Sequence, residues 1–338
     1  MDTSDIIKLS GNLFKKWMGK NPDTIDQLPH SGSSRIYFRI SSGNTNALSV
    51  YNTNSIENNA FIKFTYHFKS YNLNVPKIYA TELQNNIYLI EDLGNLNLLS
   101  WIYSLQNNTT RDSEIKNKYK LVLKELIKFQ ITASQNFDYS ICYPFSSFNK
   151  EAILFDLAYF QNQFIKARKI EFDENLLTND FNRFAEYLLQ ENSNFFMYRD
   201  FQARNIMLKN DQPFFIDYQG GRKGPLQYDV ASLLYQAKAN LSEKTRTELL
   251  NFYISEIQKL VSINSKKFTE FYYAFTLVRI LQTLGAYGLR GLVEGKSHFI
   301  ESITPALSNL ALVKNKVDFL TQTTELKRLI NKITEKQL

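Results

Sequence analysis

The chain opens with apolar residues spaced so that they share one face of a helix, and this pattern predicts an amphipathic helix over residues 3–18. Apolar and polar side chains then alternate over 35–40, which indicates a strand. A polar segment at 41–46 leads into a second apolar run at 47–51. We therefore expect an N-terminal helix followed by a β-hairpin.

Beyond the hairpin, helical periodicity returns over 55–71, and two short apolar runs at 78–83 and 87–90 predict a strand pair. Long helical patterns follow, interrupted by a strand–loop–strand segment over 195–217; the predicted helices cover 112–135, 149–169, 173–191 and most of the chain from 229 onward. The order indicates an α+β fold with two lobes. We expect a small β-rich lobe over 1–92 and a large, mostly helical lobe over 93–338.

Composition narrows the class of protein. The 338 residues carry a net charge of +7 but contain no run of Lys and Arg that would mark a nucleic-acid-binding face. The only cysteine, Cys142, cannot form an internal disulfide, which fits a reducing compartment. No stretch approaches the ~18 apolar residues of a membrane span, and the N-terminus has no signal-peptide pattern. We expect a cytoplasmic monomer without nucleic-acid or membrane partners.

The segment 195–219 carries the candidate chemistry. Asp200 ends one apolar run, Asn205 begins the next, and Asp217 ends a third. Phosphoryl transfer needs such a set, because a carboxylate must accept or orient the proton of the attacking hydroxyl and oxygen ligands must hold Mg²⁺. A turn at Asn210-Asp211 separates the second run from the third. We hypothesise that Asp200 is the base and that Asn205 and Asp217 bind Mg²⁺.

Each of these residues alone has an ordinary structural explanation. Asp200 can cap a turn, Asn205 can bond its own loop, and Asp217 can simply end a strand. The order of the features favours the catalytic interpretation: Arg-Asp-x₄-Asn, then a short hairpin, then an apolar strand that ends in Asp.

Residues 198–205 resemble the catalytic loop of the protein-kinase-like fold, and Ile216-Asp217-Tyr218 resembles its metal-binding motif. The chain is similar to the aminoglycoside phosphotransferase and choline kinase group, and within it to the anomeric N-acetylmuramate and N-acetylglucosamine kinases of bacterial cell-wall recycling. The resemblance rests on residues 34–39, 74–76, 89–94, 198–205, 216–219 and 224–233. It implies a two-lobed protein-kinase-like fold that binds ATP and Mg²⁺ in its cleft. It also implies that Asp229 ties down the catalytic loop, although a plain helix N-cap is sufficient explanation for this residue.

The resemblance further implies where ATP binds. Backbone groups near Glu91 and Leu93 are expected to pair with adenine. The loop expected at the phosphates is reduced to Ser31-Gly32-Ser33-Ser34, and the residues assigned to ATP there are Gly32, Ser33, Ser34 and Arg35. Protein kinases clamp the phosphates with a Lys on the third strand, but the strand at 47–51 contains none. Arg35, Arg39 or the backbone amides of 32–34 are the alternatives, and Glu57, lacking a Lys partner, is expected to be a solvated helical residue.

The residues assigned to the substrate are Arg204, Gln219, Arg222, Lys223, Arg279 and Lys296. The glycines at 220–224 are expected to let the backbone approach a ligand closely. For Arg222 and Lys223 the alternative is an ordinary exposed turn. From the sequence alone, Arg279 is expected to be a buried structural partner.

The acceptor is hypothesised to be the anomeric hydroxyl of N-acetylmuramate or N-acetylglucosamine, which gives a sugar 1-phosphate. The motivating patterns are Asp217-Tyr218-Gln219 and residues 224–233. One alternative is phosphorylation of an aminoglycoside, choline or another hydroxyl, although the basic composition disfavours polycationic aminoglycosides. Another is a nucleotide-binding regulator without activity, suggested by the missing Lys. A protein kinase is disfavoured because no Asp-Phe-Gly to Ala-Pro-Glu pattern occurs.

Overall fold

The computed structural model describes residues 2–29, 35–105 and 109–335 of the chain. The predicted phosphate-loop residues Gly32, Ser33 and Ser34 lie outside the described residues. Two lobes meet along a cleft, and the boundary between them expected at residue 92 stays a prediction. None of the helices in the described ranges combines the length and the apolar character needed to cross a bilayer.

Helix α1 (Thr3–Met18) covers one face of the small lobe and confirms the predicted amphipathic helix. At its start the Asp2 side chain accepts a hydrogen bond from the backbone N–H of Asp5. Gly19 ends the helix in the left-handed conformation, with φ of 75°. The apolar face of α1, which includes Phe14, packs against the strands of the small lobe.

Within the described residues, the small lobe contains a five-stranded antiparallel sheet. Its strands are β1 (Thr24–Gln27), β2 (Ile36–Ser42), β3 (Thr45–Tyr51), β4 (Ile78–Glu82) and β5 (Ile87–Glu91), in the spatial order β1-β2-β3-β5-β4. The predicted hairpin and the predicted strand pair are confirmed, although the hairpin turn is tighter than the expected 41–46. The pattern does not predict β1, because its four residues include one apolar side chain, Ile25, and so show no alternation.

Helix α2 (Ser55–Ser70) follows β3 and contacts both lobes. Phe61 stacks on Tyr218 of the large lobe with ring centroids 5.2 Å apart, and Phe68 packs edge-on against Phe129 at 4.8 Å. The hydroxyl groups of Thr65 and Tyr218 are hydrogen-bonded at 2.5 Å. Because this aromatic core spans both lobes, α2 has a fixed position relative to the segment 195–219.

The large lobe is mostly helical. Its helices are α3 (Leu98–Ser104), α4 (Arg111–Ile127), α5 (Lys150–Phe160), α6 (Glu174–Leu188), α7 (Leu226–Leu234), α8 (Glu243–Ile257), α9 (Ser265–Tyr287), α10 (Ser297–Ile300), α11 (Ile303–Val313) and α12 (Glu325–Glu335). Helices α4 and α5 each continue into a π-helical turn, at 128–132 and 161–165. The long helices predicted from residue 112 and from residue 149 are therefore confirmed, with a wider final turn in each.

Short strands in the large lobe surround the candidate chemistry. They are β6 (Phe195–Met197), β7 (Ile206–Lys209), β8 (Gln212–Phe215) and β9 (Arg222–Gly224). β7 pairs with β8 and β6 pairs with β9, both antiparallel. The predicted strand–loop–strand segment at 195–217 is confirmed, and residues 222–224 form β9, which is neither the expected ligand loop nor the alternative exposed turn.

Charged side chains fix the segment that joins the lobes. Arg39 of β2 forms a bidentate pair with Asp92, at 2.6 and 3.0 Å, and donates to Asn95 at 2.9 Å. Lys209 of β7 pairs with Glu91 at 2.7 Å. The linker is therefore tied to one strand from each lobe, and Arg39 is engaged there rather than in the cleft.

Candidate active site

The β7–β8 hairpin brings Asn205 and Asp217 together. Its register places the residues that precede β7 beside those that follow β8, and the backbone N–H of Ile216 donates to the Asn205 carbonyl at 3.1 Å. The turn residues Asn210 and Asp211 both have positive φ, 50° and 62°, as a tight two-residue hairpin turn requires. Asn205 Nδ2 lies 3.2 Å from Asp217 Oδ2, to which it donates.

A buried carboxylate holds the loop that carries Asp200. Asp229 accepts hydrogen bonds from the backbone N–H groups of Tyr198 at 2.8 Å and Arg199 at 2.9 Å. Asp229 lies inside α7, which begins at Leu226, so it is not the helix N-cap. The tie to the catalytic loop that the resemblance implies is present.

Burial makes the Asp229 carboxylate costly to ionise. Its surroundings exclude water, and this burial raises the pKa of Asp229 to about 7, although hydrogen bonds from Tyr198, Arg199 and Gln130 favour the charged form. Gln130 in turn accepts from the Tyr253 hydroxyl at 2.5 Å. Side chains from α7, α8 and the turn after α4 thus hold one loop in place.

Arg199 is anchored on its other side by Asp156 of α5. Two guanidinium nitrogens donate to the two carboxylate oxygens of Asp156 at 2.5 and 2.6 Å, and one also donates to the Tyr228 hydroxyl at 2.7 Å. Arg199 has φ of 81°, a left-handed conformation that costs energy in a residue with a side chain. Sequence reasoning missed Asp156; its signal is a carboxylate inside an apolar helical run.

The side chain of Asp200 faces a buried guanidinium. Arg279 Nη2 of α9 donates to Asp200 Oδ1 at 3.0 Å, and its remaining nitrogens donate to Ser232 and Gln282. Burial opposes the negative charge of Asp200, but neighbouring guanidinium groups, with Arg279 the strongest, outweigh it and lower its pKa. Arg279 does not line the cleft, so its assignment to the substrate is corrected: it is the buried partner of Asp200.

Asp217 is surrounded by hydrogen-bond donors. Gln219 Nε2 donates to Asp217 Oδ1 at 2.8 Å, and Arg35 Nη1 reaches the same oxygen at 3.3 Å. Arg35 also forms an ion pair with Glu57 of α2, and Asn52 donates to Glu57 at 2.9 Å. The prediction that Glu57 is a solvated residue is therefore wrong, because its cation comes from the start of β2.

A cavity of about 550 Å³ lies between the lobes, a size typical of small-molecule sites. Asp200, Asn205 and Asp217 all line it. The apolar part of the wall includes Leu48, Val50, Tyr88, Ile90, Met207 and Ile216. At the large-lobe end the wall includes Tyr159, Arg204, Ala286, Arg290 and Phe299.

The sequence-predicted ligand residues divide into two groups. Those that line the cavity are Arg35, Glu91, Leu93, Arg204 and Gln219. Those that lie away from it are Arg222, Lys223 and Lys296. Arg222 is buried and donates to the Gly220 carbonyl, Lys223 lies in β9, and Lys296 pairs with Glu294 at 3.0 Å. The structure does not support assigning these three residues to the substrate.

Gly221 and Gly224 serve packing rather than ligand approach. A Cβ at Gly221 would lie 2.4 Å from a ring atom of Phe196, and a Cβ at Gly224 would lie 2.8 Å from Met197. Both contacts are shorter than two non-bonded atoms tolerate. Glycine is therefore required because β9 packs directly against β6.

The oxygen atoms of Asn205 and Asp217 suit Mg²⁺ as ligands. This ion prefers oxygen ligands and is commonly held by one or two protein groups together with substrate phosphates. Asp217 offers its carboxylate, and Asn205 uses its Nδ2 for both of its hydrogen bonds, so within the described chain its Oδ1 stays available. No cluster of three or more His, Cys, Asp or Glu suited to a metal occurs among the described residues. The geometry therefore fits a magnesium–phosphate complex better than an all-protein cage.

Comparison with known proteins identifies the family. A model of the phosphotransferase enzyme family matches residues 24–260. An N-acetylmuramate/N-acetylglucosamine kinase of Neisseria meningitidis serogroup B is 22% identical over 250 residues, which cover 72% of each protein. A choline kinase from Cryptosporidium parvum has a TM-score of 0.62 at 16% identity, covering 93% of this chain and 97% of that one. An amicoumacin kinase in complex with AMP-PNP and Ca²⁺ has a TM-score of 0.65 at 9% identity, covering 96% and 98%.

Structural likeness at these identities shows the fold, and it confirms the expected two-lobed kinase-like architecture. The family model covers more than half of the chain, including the catalytic loop, the metal-binding motif and α7. The chain therefore belongs to the phosphotransferase enzyme family and is an enzyme that transfers a phosphoryl group to an alcohol.

Proposed function

We propose that this enzyme uses Mg-ATP to phosphorylate the anomeric hydroxyl of N-acetylmuramate or N-acetylglucosamine, giving the sugar 1-phosphate for cell-wall recycling in the cytoplasm. The proposed phosphotransfer is supported by the convergence of Asp200, Asn205 and Asp217 on one cavity between the lobes. The sugar is supported by the names of the curated relatives.

In the proposed reaction, Asp200 orients the sugar hydroxyl toward the γ-phosphorus. The hydroxyl oxygen forms a bond to phosphorus while the bond to the ADP oxygen breaks, and Asp200 takes the released proton. Asn205 and Asp217 would hold Mg²⁺, which neutralises charge on the phosphates when bound. The remaining contribution of the chain is to fix these groups, through Asp229 and Arg279, before the substrates arrive.

The Arg279–Asp200 pair favours an acidic acceptor. A carboxylate whose pKa is lowered by a guanidinium is a weak base. An anomeric hydroxyl is a hemiacetal hydroxyl and releases its proton more readily than an ordinary alcohol does. A weak base suits such an acceptor, because proton transfer can occur late in a loose transition state.

The charges at the cavity disfavour a cationic acceptor such as an aminoglycoside or choline. Each acidic residue of its described lining is already paired: Glu91 with Lys209, Asp200 with Arg279, and Asp217 with Arg35. Unpaired carboxylates, which would attract a cation, are not present in that part of the wall. The complete set of Asp200, Asn205 and Asp217 likewise opposes a regulator without catalytic activity.

Incubation of the purified protein with Mg-ATP and each sugar tests the proposal directly. Phosphorus NMR distinguishes an anomeric phosphate from a 6-phosphate by its coupling to the anomeric proton. We expect the 1-phosphate to form with one or both sugars. Turnover of choline or an aminoglycoside, but of neither sugar, would refute the sugar assignment and leave the phosphotransferase intact.

A further inference from the structure

Strand β3 lacks the Lys that contacts the nucleotide phosphates in protein kinases. In protein kinases a Lys on the third strand contacts the α and β phosphates and pairs with a Glu on the following helix. Here Leu48 and Val50 are the β3 residues that line the cavity, and neither carries a charge. The described cations in the cavity wall are Arg35, Arg204 and Arg290.

The register of β2 and β3 places Arg35 beside the expected position of that Lys. Tyr37 is the cross-strand partner of Val50, and both line the cavity. Arg35 immediately precedes β2 and also lines the cavity, so it lies on the same side as Tyr37. A long side chain there reaches the space that a Lys at Val50 would fill.

Glu57 occupies the place of the helix partner. It pairs with Arg35 and accepts a second hydrogen bond from Asn52. Glu57 lies in the first turn of α2, and its backbone N–H is capped by Asn54. The aromatic contact between Phe61 and the large lobe fixes α2, so Glu57 holds Arg35 at a defined distance from the catalytic segment.

Arg35 retains donors that its protein partners do not use. Its side chain is only 5% exposed, its Nη1 reaches Asp217, and its Nη2 reaches Glu57. Its Nε is buried and has no partner in the described chain. A buried, unpaired donor is costly. Arg35 lines the cavity, and a guanidinium is always charged in proteins, so a phosphate oxygen there is a suitable acceptor for its free donor.

We propose that Arg35, immediately before β2, replaces the third-strand Lys as the clamp on the α and β phosphates, with Glu57 as its positioning residue. This inference rests on the proposed use of ATP. It explains why Arg35 spans Glu57 and Asp217: one cation links the helix of the small lobe to the metal-binding carboxylate of the large lobe.

Equilibrium binding without an acceptor sugar tests the clamp. Titration calorimetry with ATP, ADP and adenosine, in the presence of Mg²⁺, would compare the wild type with Arg35→Met and Arg35→Lys. We expect Arg35→Met to weaken ATP and ADP binding by about 10- to 100-fold, the value of a charge-assisted contact. The affinity of Arg35→Lys for ATP and ADP should lie between those of the wild type and Arg35→Met. Adenosine should bind all three proteins equally.

Lys16→Met is the matched control, because it removes one positive charge from the small lobe at an exposed residue that pairs with Glu82 and does not line the cavity. It should bind ADP like the wild type. Glu57→Gln should weaken ADP binding less than Arg35→Met, and the double variant should be no worse than Arg35→Met alone.

The clamp proposal would be overturned if Arg35→Met bound ADP as tightly as the wild type does. It would also be overturned if the variant lost adenosine affinity to the same extent as ADP affinity. Because the binding experiment contains no sugar, its result does not depend on which acceptor the enzyme uses. Wild-type protein that binds ATP but phosphorylates neither sugar would refute the proposed function and leave the clamp decided by the binding data.

Discussion

Arg279 Nη2 donates to Asp200 Oδ1 at 3.0 Å from a buried position inside the large lobe. The cation therefore acts on the catalytic carboxylate from the side opposite to the cleft. It restricts the carboxylate to one orientation and keeps it ionised at lower pH than an isolated Asp. In the proposed reaction, this pair places Asp200 well and makes it a weak base.

Replacing Arg279 should move the pH profile of the enzyme. Asp200 must be ionised to act, and its pKa is lowered in the folded protein, so the acid limb of kcat lies at low pH. In Arg279→Met the pKa of Asp200 rises, and the acid limb should shift to higher pH. Misplacement of the carboxylate should also lower kcat at pH 7 by roughly 10²-fold. An acid limb that stays in place would contradict the role assigned to Arg279, whereas Arg279→Lys should restore part of kcat.

Replacing the catalytic carboxylates should separate chemistry from binding. Asp200→Ala should lower kcat by about 10²–10⁴-fold, the usual value for loss of a general base, while ATP affinity is kept. Asp217→Ala should lower kcat and also raise the Mg²⁺ concentration that half-saturates the enzyme. Asp211→Asn, at the far end of the same hairpin, is the control and should behave like the wild type. Full activity in either alanine variant would disprove its role.

Arg204 should discriminate between acidic and neutral sugars. It lines the large-lobe end of the cavity with Arg290, and N-acetylmuramate carries a carboxylate that N-acetylglucosamine lacks. Arg204→Ala should therefore lower kcat/KM for N-acetylmuramate about tenfold more than for N-acetylglucosamine. The ratio of the two constants is the measurement, because it cancels any shared effect on Asp200. An unchanged ratio would exclude Arg204 from acceptor recognition.

Asp229 should make the stability of the fold depend on pH. Burial raises its pKa from 3.8 to about 7, so the folded protein binds a proton more tightly than the unfolded chain does. This contribution to the free energy of unfolding is complete below about pH 4 and is lost as the pH rises through about 7. Asp229→Asn should remove that part of the slope in urea titrations between pH 5 and 8. It should also cost about 1–3 kcal/mol, because one backbone N–H loses its acceptor. A slope equal to that of the wild type would count against a titrating Asp229.

Gly221 and Gly220 form a matched pair for a test of packing. A Cβ at Gly221 would meet Phe196 at 2.4 Å, whereas a Cβ at Gly220 would have its nearest neighbour, Arg199 Cγ, at 3.9 Å. Gly221→Ala should lower the free energy of unfolding by about 1–3 kcal/mol through overpacking. Gly220→Ala should leave it nearly unchanged. Equal stability of the two variants, measured by thermal or urea unfolding, would show that β9 is not tightly packed on β6.

The local elements of the site follow from short stretches of sequence. The spacing of Asp200, Asn205 and Asp217, with Asn210 and Asp211 between the last two, predicts a hairpin and its turn. A two-residue turn with positive φ fixes the register of the strands beside it, and that register brings Asn205 next to Asp217. The structure confirms the hairpin and its turn, because the contacts that build them join residues at most 12 positions apart in the chain.

The partners of these residues could not be predicted in the same way. Glu57 meets Arg35, and Arg279 meets Asp200, across long separations in the chain. The sequence shows that β3 lacks a Lys and offers Arg35 and Arg39 as alternatives, but it does not choose between these two residues. Only the tertiary structure places Arg35 in the cavity wall and pairs Arg39 with Asp92.

For Arg222 and Lys223, the sequence pattern predicts a ligand contact that the tertiary structure does not form. A Gly-rich, basic segment after the metal-binding motif resembles a ligand loop, yet Arg222 turns inward and Lys223 lies in a strand. The sequence by itself determined the two-lobed fold, the candidate trio of Asp200, Asn205 and Asp217, and the turn between the last two, because periodicity and turn chemistry are local. The tertiary structure decided which charges meet and which face the cleft, because ion pairing and burial depend on how distant segments pack.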